Sequence, residues 1–93
     1  FPSQVEKVLL ENDAVREALV IGVPDAYRGE VPRAYVTLMP DVAASPEMLR
    51  DWLNTRMGKH ERVDCVVVRE ALPKTMIGKL DRKALRAEID AEE

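Results

Sequence analysis

From Glu17 to Val23 the chain reads EALVIGV, an almost unbroken apolar run with several β-branched residues. Such a run predicts a strand buried on both faces. PRAYVTLM alternates instead. Ala34, Val36 and Leu38 point one way, and Arg33, Tyr35 and Thr37 point the other, as in a half-exposed strand. RVDCVVV predicts a third strand. Between the first two strands, PDAYRGE carries Pro24, Asp25 and Gly29 and reads as a loop.

Three further stretches follow the helical period. Ser3 and Glu6 form a capping box ahead of Val5, Val8 and Leu9, so the first helix is expected to end near Asn12 or Asp13. Ser45 and Pro46 open a second helix as cap and first-turn residue. Met48, Leu49, Trp52, Leu53 and Met57 form its apolar stripe, and Gly58 is the expected stop. Asp81 caps a third helix, Leu80 can staple onto Leu85, and Ala84, Leu85 and Ile89 face inward. The expectation is an α+β domain, a small three-stranded sheet packed with three helices.

Length and composition are consistent with one small domain. The chain has 93 residues, 46% apolar and 33% charged, an ordinary globular balance. A single cysteine, Cys65, excludes an internal disulfide; its place in VDCVVV makes it a small core residue, and a cytoplasmic location is the expectation. No apolar run approaches the ~20 residues of a membrane-spanning helix, and there is no secretory signal pattern. The chain opens at FPSQVEKVLL without an initiator Met, which suggests one domain cut from a longer protein.

The net charge of -3 argues against a general nucleic-acid binder. Yet Lys74, Lys79, Arg82, Lys83 and Arg86 lie close together, with Asp81 the only acid among them. That local patch suits a discrete anionic ligand or a solvated helix face. In LPKTMIGKLDRKAL, Pro73 stiffens the entry and Gly78 permits a tight turn. Lys79 follows just ahead of a capped helix, where an ammonium with three donors suits phosphate or carboxylate oxygens. No complete active site can be assembled around it. His60 is the only histidine, and no metal-ligand spacing or Walker-type loop is present. If Lys79 is catalytic, the rest of the site belongs to another domain.

PKTMIGK resembles the C-terminal lysine motif of the adenylate-forming superfamily, which includes acyl-CoA synthetases, peptide-synthetase adenylation domains and luciferases. FPSQVEKVLLENDAVREALVIGVPDAYRGEVPRAYVTL is similar to the start of the small C-terminal domain of acyl-CoA synthetases, where a P-x-E/Q-V/I-E helix leads to a G-V-P-D-x-x-R-G-E loop and a strand. The similarity runs through essentially the whole chain in order. It implies a mobile lid that rotates between two half-reactions against a large N-terminal domain, the site of the ATP and carboxylic acid pockets and of Mg2+. By that likeness Lys79 is catalytic in forming the acyl-adenylate. Arg28 and Gly29 in the YRGE segment line the coenzyme A channel, and Lys74 is a further cofactor-binding candidate. A fatty acid, ATP and coenzyme A are the implied substrates. Where many relatives carry a Y-K-x-P turn, this chain has HERV at residues 60–63.

Two other readings stand beside it. GKLDRKAL resembles peptide-synthetase domains as well, which would make a carrier-protein phosphopantetheine arm the acceptor. A free-standing module gripping an anionic partner is the alternative from another class.

Overall fold

A computed structural model describes residues 2–27, 29–58 and 62–92. Its elements run α1 (Pro2–Leu10), β1 (Val15–Asp25), β2 (Gly29–Leu38), α2 (Pro46–Asn54), β3 (Cys65–Val68) and α3 (Arg82–Glu92). The strands form one sheet in the order β1-β2-β3. β1 and β2 make an antiparallel hairpin, and β2 pairs β3 in parallel. A parallel pair needs a crossover connection, which α2 supplies.

The sheet is covered on both faces. On one, Val5 and Leu9 of α1 and Leu49 and Leu53 of α2 pack on Ala18, Val20, Ala34, Val36 and Val66. On the other, Leu85 and Ile89 of α3 join Leu72 to cover Leu19, Ile21, Val23, Val31 and Tyr35. EALVIGV is therefore buried on both sides, as its continuous apolar character requires. β2 is not half-exposed as its alternation suggests. Tyr35 and Thr37 are only 3% and 4% exposed: Tyr35 lies in the cluster under Leu85 and Ile89 of α3, and Thr37 lies against Glu17, which Lys74 also meets. The Thr37 hydroxyl donates to Glu17 Oε1 at 3.1 Å, which satisfies a polar group that burial would otherwise penalise.

Local capping is as expected at two helices. Ser45 Oγ accepts from Met48 N at 3.1 Å, with Pro46 in the first turn of α2. Asp81 Oδ1 accepts from Ala84 N at 3.0 Å at the head of α3, and Leu80 packs into the cluster that holds Leu85. The capping box at α1 is overturned. Ser3 lies inside the helix, and the Glu6 carboxylate is drawn to β1, where it accepts from Val20 N at 2.8 Å. α1 ends at Leu10, and Asn12 Oδ1 then turns the chain by accepting from Ala14 N at 2.9 Å.

Other boundaries shift for tertiary reasons. PDAYRGE is largely strand, since Pro24 pairs with Glu30 and Asp25 with Gly29. α2 stops at Asn54 with Thr55 as its C-cap, short of Gly58. Asn54 then holds the next segment, its side chain accepting from Val63 N at 3.1 Å. Met48 is exposed and leaves the α2 stripe, while Trp52 and Met57 are partly buried. Cys65 is only partly buried, at the start of β3.

Candidate functional site

Residues 73–81, which carry Lys79, form a small hairpin. Asp81 N donates to Pro73 O at 2.9 Å, and Lys74 and Leu80 form a β-bridge. Thr75 N donates to Lys79 O at 2.7 Å, and Gly78 N to Thr75 O at 3.0 Å. Gly78 has φ 84°, the left-handed conformation that ends a three-residue hairpin loop. Lys79 follows directly, its N–H held 3.3 Å from Thr75 Oγ1. The backbone under Lys79 is therefore fixed on both sides. Met76 and Ile77 stand exposed at the tip.

The basic patch separates into engaged and free cations. Lys74 Nζ lies 2.7 Å from Glu17 Oε2. Arg82 Nε donates to Val20 O at 3.2 Å, and its Nη2 pairs with Glu6. Arg86 Nη2 donates to Gly22 O. Further along, Arg69 meets Glu88 at 2.7 Å. The Lys79 and Lys83 side chains are exposed and have no hydrogen-bond or ion-pair partner among the described residues. Of the two, only Lys79 stands on the hairpin. Lys74, the cofactor-binding candidate, is held against the sheet by Glu17.

The other candidate loop lies at the far end of β1. Asp25 Oδ1 accepts from Tyr27 N at 2.8 Å, and Gly29 closes the turn with φ 80°. Tyr27 is 97% exposed. Arg28 lies outside the described residues, as do His60 and Glu61 of the HERV segment. Glu17, which holds the foot of the Lys79 hairpin, and Asp25 stand eight residues apart on β1, roughly 26 Å at ~3.3 Å per residue. α3 runs from the hairpin along β1 toward that turn, touching Val20 through Arg82 and Gly22 through Arg86. The two loops thus occupy opposite ends of one strand.

The sequence profile of the AMP-binding enzyme C-terminal domain matches residues 4–79, which brings in both loops. The chain belongs to this family. It is 38% identical over 88 residues to a long-chain-fatty-acid–CoA ligase of Bacillus subtilis, covering 95% of this chain and 16% of that protein. It is 39% identical over 83 residues to an acetyl-coenzyme A synthetase of Deinococcus radiodurans, covering 89% of this chain and 13% of that one. The fold matches a crystal structure of Brucella canis acyl-CoA synthetase with TM-score 0.84 and 35% identity, over 99% of this chain and 18% of that chain. The α+β fold inferred from the residues is the fold of this family's domain. The chain thus spans about one-sixth of the length of the relatives it matches.

Among the described residues, no three His, Cys, Asp or Glu side chains converge on a point where a metal ion could sit. No helix there is long and apolar enough to cross a membrane.

Proposed function

We infer that this chain is the C-terminal lid of an AMP-forming acyl-CoA synthetase, an acid–thiol ligase, and that Lys79 is its donor in the adenylation half-reaction. The observation that carries the reading is the state of Lys79. It is exposed on a hydrogen-bonded hairpin with a free ammonium among the described residues, while Lys74, Arg82 and Arg86 around it are engaged.

In the first half-reaction a carboxylate oxygen bonds to the α-phosphorus of ATP as the bond to pyrophosphate breaks. Two anions must approach, so a positive donor aimed at the shared oxygens lowers the barrier. At an effective dielectric near 20, a charge pair ~4 Å apart contributes roughly 4 kcal/mol, or about a thousand-fold in rate. In the second half-reaction the coenzyme A sulfur bonds to the acyl carbon as the bond to AMP breaks, and the thiol proton passes to solvent. Arg28 and Gly29 of the YRGE segment contact coenzyme A in that step, and Gly29 closes the turn that follows β1. The separation of the two loops supports a lid that turns a different end toward the large domain in each half.

The names of the relatives, a fatty-acid ligase and an acetyl ligase, support a carboxylic acid as substrate and coenzyme A over a carrier-protein arm as acceptor. By the family likeness, the acid pocket and the Mg2+ ligands are assigned to the large domain.

The test is Lys79→Ala in the enzyme that joins this domain to its large domain. ATP–pyrophosphate exchange is expected to fall by two or more orders of magnitude, with thioester formation from preformed acyl-adenylate largely kept. Unchanged exchange would return Lys79 to an ordinary turn lysine.

A further inference from the structure

β1 is an edge strand, since the sheet order leaves its outer side without a neighbouring strand among the described residues. An open edge presents unpaired backbone groups. Here side chains fill that place. Val20 N donates to Glu6 Oε2 at 2.8 Å, and Val20 O accepts from Arg82 Nε at 3.2 Å. The same Glu6 oxygen pairs with Arg82 Nη2. One residue of β1, one carboxylate of α1 and one guanidinium of α3 thus close a ring of three contacts.

Arg82 is also the first residue of α3, three positions after Lys79. The intervening Asp81 closes the hairpin through Pro73 O and caps the helix. The other arm of the hairpin is tied to the same strand, through Lys74 and Glu17. The Lys79 hairpin therefore stands on two feet, at Glu17 and Val20 of β1. The second foot is shared with α1 through Glu6.

We propose that Arg82 is a positioning residue for Lys79, with Glu6 as its partner. The proposal rests on the reading of Lys79 given above. Arg82 suits the role because its planar fork makes two directed contacts at once, one to a carbonyl and one to a carboxylate. A lysine there would keep the charge and lose the second directed contact. Catalytic groups tolerate little displacement, since a shift of ~1 Å can cost about a hundred-fold in rate. The Glu6 contact also makes α1 a mechanical partner of the hairpin, so that moving the start of this domain moves its lysine as one body.

The test uses the enzyme in which this domain is joined to its large domain. In Arg82→Ala, ATP–pyrophosphate exchange is expected to fall roughly tenfold or more, with thioester formation from preformed acyl-adenylate within about twofold of the parent. Arg82→Lys should recover part of the loss, and Glu6→Gln, which can still accept from Val20 N, should show a smaller loss in the same half-reaction. The deciding readout is a double variant. Added to Lys79→Ala, Arg82→Ala should cost nothing further in exchange. Equal losses in both half-reactions, or a full further loss in the Lys79→Ala background, would overturn the proposal and leave Arg82 a stabilising residue only. If Arg82→Ala does not fold, Glu6→Gln and Arg82→Lys carry the same comparison. The two readings fail separately. Lys79→Ala with intact exchange removes the catalytic reading and the positioning role together, whereas a silent Arg82→Ala beside an inactive Lys79→Ala removes only the positioning role.

Discussion

The Lys74 ammonium lies 2.7 Å from Oε2 of Glu17, and the other Glu17 oxygen accepts the Thr37 hydroxyl at 3.1 Å. The hydrogen bond from Lys74 holds the Glu17 carboxyl below its ordinary value. Partial burial opposes that shift, and the Thr37 hydroxyl adds to it. A carboxyl whose pKa is depressed by folding stabilises the fold above the unfolded value, near 4.3. That contribution is lost as pH falls through the lower folded value. The 93-residue domain should therefore lose stability in this acid window, and Glu17→Gln should lose less. In Lys74→Met the Glu17 midpoint, followed by carboxyl NMR, should move up. An unmoved midpoint would mean that the ion pair is not formed in solution.

Gly78 has φ 84°, and an added Cβ would meet nothing within 4 Å. The cost of Gly78→Ala is then purely conformational, about 1–2 kcal/mol for a left-handed L-residue. Urea denaturation should show that loss. Exchange activity of the joined enzyme should fall as well, because the backbone of Lys79 begins at this residue. A stability loss below about 0.3 kcal/mol would show that the turn relaxes to another form.

Leu85 is fully buried between α3 and the sheet, whereas Met76 is fully exposed at the hairpin tip. Leu85→Ala should cost ~2–5 kcal/mol by lost transfer energy and cavity formation. Met76→Ser should change stability by no more than about 0.5 kcal/mol. Comparable losses from the two variants would mean that the tip packs against the domain in solution.

Asp81 and Ser45 each satisfy a backbone donor at a helix start. Alanine at either should cost about 0.5–2 kcal/mol. Asp81→Ala should also raise hydrogen exchange in the hairpin, because Asp81 joins it to α3, whereas Ser45→Ala should leave the hairpin amides unchanged. Equal effects of the two variants on those amides would contradict the joint at Asp81.

Much of this domain can be read along the chain because the physics involved is local. The caps at Ser45 and Asp81 depend on amides three residues away. Continuous burial of EALVIGV follows from its own composition. Lys79 stands out because a glycine that must turn precedes it and a capped helix follows. Glu6 shows the limit of the same reasoning. Beside Ser3 it has the spacing of a capping box, yet its carboxylate meets Arg82, 76 residues on.

The strand at 33–38 shows that limit again. Alternation alone makes one face polar, but α3 folds back over Tyr35, Thr37 lies against Glu17, and both are buried. Strand order, the two feet of the hairpin and the division of cations into engaged and free all depend on groups far apart in the chain. Residue pattern sets periodicity, caps and turns, since neighbouring atoms meet in any compact state. Which distant carboxylate meets which guanidinium is settled only when the helices pack on the sheet, because charge pairs act over a few ångströms and contact order along the chain does not encode them.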